Sequence, residues 1–214
     1  MGYFTVRYDA SSKFEEKKSV FIGTVKRVDS EEEAKDFINT IKGQHREARH
    51  NVYAYVIGNN MGVQRYSDDG EPKGTGGMPV LDVIKKNNLT DVVIVVTRYF
   101  GGVLLGAGGL TRAYSKAASL AVKKAEIVEK VLGCPINIEI EYELLGKVQY
   151  YCNKNNWNIE NINYSDKVSI LLYCELSELE KLKSEIVEVT NGRVVVYEGD
   201  EEYYFKSENR LYLC

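Results

Sequence analysis

A chain of 214 residues that is 44% hydrophobic, with a mean hydropathy of −0.31, fits a soluble globular protein of one large or two small domains. No apolar run approaches the roughly 20 residues of a membrane helix, and Met1-Gly2-Tyr3-Phe4-Thr5 lacks the basic-then-apolar order of a secretory signal; a cytoplasmic protein without membrane contact is expected. The net charge of −3 hides an asymmetry, because residues 1–135 hold 20 basic and 16 acidic side chains (+4) and residues 136–214 hold 8 and 15 (−7). An anionic partner therefore belongs to the first part.

Cys134, Cys152, Cys174 and Cys214 are widely spaced and form no Cys-x-x-Cys pair, so neither zinc nor a disulfide framework is expected. Tyr3 to Tyr8 alternates like a strand, and Lys17-Lys18-Ser19 precedes a second alternating run, Val20 to Val28. Ser30 and Glu33 form a capping box before Ala34, Phe37, Ile38 and Ile41, and Gly43 is placed to end that helix. A strand is predicted over Asn51 to Gly58. A loop follows, Ser67-Asp68-Asp69-Gly70-Glu71-Pro72-Lys73-Gly74-Thr75-Gly76-Gly77, and then a short helix opened by Met78-Pro79. Val92 to Val96 reads as a strand buried on both faces.

The next stretch, Arg98 to Arg112, holds five glycines in nine residues, at 101, 102, 106, 108 and 109. The helix after it carries Leu110, Ala113, Tyr114, Ala117, Ala118 and Ala121 on one face, a core stripe of small residues. Gly133-Cys134-Pro135 reads as a domain boundary, giving domains 1–133 and 134–214. Beyond it the order is strand, helix (Leu145 to Lys154), two strands (Trp157 to Tyr164, Val168 to Cys174), helix, strand (Val194 to Tyr197). Ser177 and Glu180 read as the cap of the second helix, and Gly192 as its end. This βαββαβ order is ferredoxin-like. The aromatic tail, Tyr203 to Cys214, is a candidate further strand.

Free backbone amides ahead of a helix attract anions. The amides of Gly101, Gly102, Gly108 and Gly109, and those of Gly74, Gly76 and Gly77 beside Lys73 and Thr75, form two candidate cradles, with Arg98 and Arg112 as cationic arms. Tight packing explains the same glycines without a ligand. Neither loop is a P-loop or a dinucleotide fingerprint. Asp68-Asp69-Gly70-Glu71 has metal-binding residue types but reads more simply as a solvated Asp-Gly turn, and no metal or cofactor is expected. His50 and Asp69 are auxiliary acid–base candidates; a structural role suits His50 as well. Arg112, Lys116 and Lys123 form a stripe suited to a phosphate backbone or simply to solvent. Tyr53, Tyr55, Tyr99 and Phe100 suit base stacking or half-buried strand positions. No nucleophile with an adjacent base emerges.

The ordered pair Asp68-Asp69-Gly70-Glu71-Pro72-x-Gly74-Thr75-Gly76-Gly77-x-Pro79 and Arg98-Tyr99-Phe100-Gly101-Gly102-x-x-Leu105-Gly106-x-Gly108-Gly109-Leu110-x-Arg112-Ala113-Tyr114 resembles the IMPACT family, in particular its bacterial YigZ-like members. Lys17-Lys18-Ser19-x-Phe21-Ile22 and His50-x-x-x-Ala54-Tyr55 fit as well, and the resemblance covers essentially the whole chain. Leu104 stands where the family commonly has a lysine, which removes one cation from the signature. The resemblance implies an α+β protein of two domains. The first is a ribosomal-protein-like α/β sandwich similar to domain IV of elongation factor G; the second is ferredoxin-like.

Eukaryotic members of that family regulate translation by relieving activation of an initiation-factor kinase, partly through a further N-terminal domain outside this resemblance; that specific role is not carried over. The expectation is a non-catalytic, translation-associated protein that binds RNA or the ribosome through the first domain. The alternatives are an enzyme or sensor holding a phosphorylated small molecule in the same cradle, and a protein partner docked on the C-terminal domain.

Overall fold

The computed structural model describes residues 2–214. The chain divides into two compact units, Tyr3–Val128 and Glu129–Cys214, the second also taking Gly2. The first unit comprises β1 (Tyr3–Val6), β2 (Ala10–Glu16), β3 (Ser19–Arg27), α1 (Glu31–Gln44), β4 (His50–Ile57), β5 (Val63–Ser67), α2 (Gly77–Lys86), β6 (Val92–Tyr99) and α3 (Ala107–Ala125). A five-stranded sheet runs β2-β3-β6-β4-β5 with every neighbouring pair antiparallel.

The central strand β6 is apolar on both faces because both are covered. Val92, Ile94 and Val96 pack with α2 and α3, and Val93 and Val95 with α1. Each such side chain contributes roughly 1.5–3 kcal/mol of burial. The alanine stripe of α3 lets it approach β3 so closely that a Cβ at Gly23 would lie 2.4 Å from the Ala117 carbonyl oxygen. At α1 the expected cap forms: the Glu33 N–H donates to Ser30 Oγ at 3.2 Å, and the Asp29 N–H donates to Glu33 Oε2 at 2.9 Å.

Two strands were not apparent from periodicity, β2 and β5. Both are sheet edges with polar residues on each face, so no period-2 pattern marks them; charged side chains on an edge also discourage pairing between molecules. The β2–β3 hairpin turns on Lys17 and Lys18, at φ 47° and 64°. Two consecutive positive φ values suit a type I′ turn, normally the province of Asn-Gly.

The second unit comprises β7 (Ile127–Ile140), α4 (Leu145–Lys154), β8 (Ile159–Tyr164), β9 (Val168–Glu175), α5 (Leu179–Val189), β10 (Val194–Glu198), β11 (Glu202–Ser207) and β12 (Arg210–Leu213). The strands β10-β7-β9-β8 lie side by side and antiparallel, the 4-1-3-2 order of a ferredoxin-like unit. Val148, Cys152, Leu182 and Ile186 of the helices close its core over Ile136, Ile138, Ile140 and Ile170. The tail supplies two strands rather than one, as the hairpin β11–β12.

Gly133-Cys134-Pro135 does not interrupt the chain. It lies inside β7, where pairing with β11 gives way to pairing with β10, and the units divide after Val128. Gly133 is there for close approach, since a Cβ would sit 2.6 Å from the Cys174 carbonyl oxygen; Pro135 still accepts from the Gly199 N–H at 2.9 Å. The cap expected at Ser177 is likewise absent. Glu178 occupies the N-cap position without a side-chain bond, and Glu180 turns forward to Lys183 at 3.0 Å.

Three thiols are buried, and burial pushes Cys152 up to about 11 and Cys174 up to about 12; Cys214 is exposed. Native protein at pH 8 should therefore take one equivalent of iodoacetamide, at Cys214, and four after denaturation. Peptide mapping that finds Cys152 or Cys174 alkylated in native protein would contradict this packing. Among the described residues no helix is long and apolar enough to cross a membrane.

Candidate functional site

Arg98, next to last in β6, is 5% exposed, although a guanidinium is hard to strip of water. Its NH1 donates to Glu71 Oε1 at 2.6 Å, and the Tyr114 hydroxyl donates to the same oxygen at 2.7 Å. Burial first, and then this bond, pushes the Tyr114 phenol up, so it serves as a donor. The guanidinium lies 5.5 Å from the ring centres of both Phe21 and Phe100, while its Nε is buried without a hydrogen-bond partner. Three elements thus meet on one carboxylate: β6, α3 and the loop between β5 and α2.

That loop sends its three carboxylates to three different places. Asp68 turns onto the loop's own amides: Oδ1 accepts from Gly76 N–H at 3.0 Å and Gly77 N–H at 2.8 Å, and Oδ2 accepts from Gly74 N–H at 2.8 Å. Burial pushes the Asp68 carboxyl up, but the three amide bonds and the charge of Lys73 outweigh it and hold the acid below its ordinary value. Asp69 accepts from Lys42 Nζ and from the Asn51 N–H, each at 2.7 Å. Glu71 takes the buried pair.

The candidate cradle of Gly74, Gly76 and Gly77 is therefore filled by the chain itself, which corrects its assignment as an anion site. A phosphorylated small molecule would find the amides of Gly74, Gly76 and Gly77 already taken by Asp68. Thr75 is likewise committed, its hydroxyl donating to the Pro72 carbonyl at 2.7 Å, while Lys73 is exposed. Asp69 is tied down as a structural group rather than an acid or base.

His50 Nδ1 lies 2.8 Å from the Asp69 carbonyl oxygen. A carbonyl only accepts, so Nδ1 carries the proton, and Nε2 of the neutral ring is an acceptor. Nε2 stands 4.0 Å from Glu71 Oε1.

The signature loop after β6 is less uniform than its glycines suggest. Gly101 donates its N–H to Ser19 Oγ at 3.2 Å, and a Cβ there would fall 2.0 Å from the Lys18 carbonyl, so close packing on the β2–β3 turn explains it. Gly102 has φ 83°, and Gly106 caps α3 at φ 71° without a side-chain bond. Gly108 and Gly109 form the first turn of α3.

Two clefts flank this helix start, and Leu105 lines both. One, of about 400 Å3, is bordered by Arg49, His50, Glu71, Arg98, Phe100 and Leu104. The other, of about 250 Å3, is bordered by Phe14, Glu16, Lys17, Gly109, Arg112 and Lys116. The two expected arms are thereby separated: Arg98 is buried and neutralised in the first cleft, and Arg112 is exposed in the second. Of the aromatic candidates, Tyr53, Tyr55 and Tyr99 are engaged around α1, and Phe100, 43% exposed, lines a cleft. The roles of Glu71 and Tyr114 were not apparent from the sequence, because their hydrogen-bond partners lie 27 or more residues away along the chain, and Lys17 meets Arg112 and Lys116 only through the fold.

Fold and clefts define a two-domain α+β protein whose first domain carries an internally braced cleft beside a basic one. The Impact N-terminal domain family matches residues 17–122, and a domain of unknown function, DUF1949, matches residues 138–193. The chain is 41% identical over 210 residues to the IMPACT family member YvyE of Bacillus subtilis, covering 98% of this chain and 97% of that protein. It is 30% identical over 178 residues to the IMPACT family member YigZ of Escherichia coli, covering 82% and 87%. A crystal structure described as that of an hypothetical protein superposes with a TM-score of 0.60 at 27% identity, over 94% of this chain and 98% of that one. The chain belongs to the IMPACT family.

Proposed function

We propose that this IMPACT family member is a translation-associated protein that binds single-stranded RNA, as such or on the ribosome, through the basic cleft of its first domain. The observation that supports this most is the Lys17-Lys18 turn. Two lysines hold positive φ at a hairpin turn where Asn-Gly would be relaxed, at a cost of order 1 kcal/mol or more each. Lys17 lines the same cleft as Arg112 and Lys116, and among the described residues none of the three has an ion-pair partner and Glu16 is the one acid in the lining. Strain retained for charge at one place, beside two further cations, suits a phosphate backbone. The net +4 of residues 1–135 agrees with it.

Phosphate contacts to single strands make log K fall by about 0.7 per contact for each decade of salt. Binding of labelled oligouridine and co-sedimentation with ribosomes should both be salt-dependent. Arg112→Ala/Lys116→Ala should weaken oligouridine binding roughly tenfold at low salt and flatten the slope by about 0.7 per cation. Lys17→Asn/Lys18→Gly should raise stability by about 1–2 kcal/mol and weaken binding at the same time. Salt-independent binding, or none at any salt, sinks the proposal. A turn variant that gains stability and loses no affinity removes its main support.

A further inference from the structure

The larger cleft lies outside the basic one that suits phosphates, and its floor is chemically unusual. Glu71 is 8% exposed, and both of its hydrogen bonds, from Arg98 and Tyr114, go to Oε1. Among the described residues nothing donates to Oε2, and Glu71 is part of the cleft lining, so its carboxylate keeps one uncommitted acceptor there. His50 stands beside the same carboxylate, its Nε2 4.0 Å from Oε1; its Nδ1 is committed to the Asp69 carbonyl, leaving Nε2 as an acceptor in the neutral ring. The floor thus offers two neighbouring acceptors.

Around them stand donors and a flat apolar wall. Arg49 is exposed on the rim, and Phe100 and Leu104 are 43% and 82% exposed. The volume of about 400 Å3 falls within the roughly 300–1,000 Å3 of small-ligand sites. Leu105 lines both this cleft and the basic one, so a strand lying along Lys17, Arg112 and Lys116 passes beside the larger cleft.

From this we infer that the larger cleft receives one unstacked guanine base, its ring against Phe100 and its N1–H and N2–H donated to Glu71 Oε2 and His50 Nε2. The inference rests on the RNA reading only for the source of the guanine; a free guanine nucleotide has the same chemistry. Guanine is the base whose Watson–Crick edge presents two adjacent donors beside an acceptor, O6, and an arginine on the rim matches that acceptor. Uracil presents one donor between two acceptors, which a carboxylate floor rejects. Unstacked bases held on aromatic side chains and read on this edge are the usual means of sequence-specific recognition in single strands.

The test uses fluorescence anisotropy of the full chain with oligouridines that carry guanine, inosine, adenine or cytosine at one central position, and calorimetry with GMP. Guanine should bind about tenfold more tightly than plain oligouridine, and inosine, which lacks N2–H, should lose most of that gain. Glu71→Gln and Phe100→Ala should each bring the guanine oligomer down to the level of oligouridine. Phe100 is an exposed wall residue, so its variant keeps the test informative should Glu71→Gln fold poorly. Oligomers that all bind equally, or a preference for another base, overturn the guanine pocket and leave the RNA reading standing. Tight GMP binding abolished by Phe100→Ala, with no oligomer bound, upholds the pocket and overturns the RNA reading. No binding of GMP or of any oligomer overturns both.

Discussion

Glu71→Ala should lower the unfolding free energy by about 3–5 kcal/mol, the range for removing one partner of a buried ion pair. The wild-type pair is 2.6 Å long, with both side chains nearly dry. Alanine leaves the Arg98 guanidinium buried among Phe21, Phe100 and Tyr114 with no acceptor, although its Nε already lacks one. It also strips the Tyr114 hydroxyl of its partner at 2.7 Å. Glu71→Gln keeps an acceptor oxygen for both donors and should cost less, about 1–2 kcal/mol. Tyr114→Phe removes one donor and leaves the ion pair, so about 1 kcal/mol is expected. Glu71→Met/Arg98→Met replaces both charges together and should recover much of the loss seen in Glu71→Ala, because well-packed apolar pairs often equal buried ion pairs. Urea denaturation of the four variants reads these differences. A Glu71→Ala protein within about 1 kcal/mol of wild type would mean that Arg98 escapes to water and that the cleft floor is not rigid.

The order of elements was legible wherever burial imposes a period. β6 is apolar on both faces because helices cover both, and the stripe Leu110 to Ala121 matches the buried face of α3. The ferredoxin-like unit followed from alternating strands and helices of ordinary length. What failed was governed by pairing rather than burial. β2 and β5 are polar edges fixed by their neighbours, and Gly133-Cys134-Pro135 punctuates a continuous strand because two partner strands change over there. Glycine proved the weakest signal for a ligand. At Gly101 and Gly77 the structure needs close approach, to Lys18 and Ser67, and nothing in the local sequence distinguishes that from an anion cradle. The candidate site was half legible for a similar reason. The motifs marked the right loops, but which carboxylate meets which cation depends on contacts 27 residues apart in the chain, as between Glu71 and Arg98.

Asp68→Ala should cost about 2–3 kcal/mol at pH 7, and that cost should fade in acid. Its carboxylate accepts three backbone N–H bonds, and hydrogen bonds to a charged group contribute roughly 1.5–3 kcal/mol each when buried. Asp68 is half-buried, so water takes up part of the loss and the total falls well below the sum. Gly76 and Gly77 also begin α2, whose N-terminus favours a negative charge. The folded protein holds this acid below its ordinary value, so its contribution is complete above the unfolded value of about 3.9 and is lost as pH falls through the lower folded value. The gap in unfolding free energy between wild type and Asp68→Ala should therefore be constant from pH 7 to about pH 5 and narrow below pH 4. Asp68→Asn keeps Oδ1 for Gly76 and Gly77 but sets an amide NH2 against the Gly74 N–H, and should fall between the two. A gap that widens in acid would mean that the three amides find other partners and that Asp68 acts elsewhere. The same variant separates loop from cleft: Asp68 holds the segment that carries Glu71, whereas Lys17, Arg112 and Lys116 stand on β2–β3 and α3. Loosening the loop should erode the guanine preference while oligouridine still binds with its full salt slope.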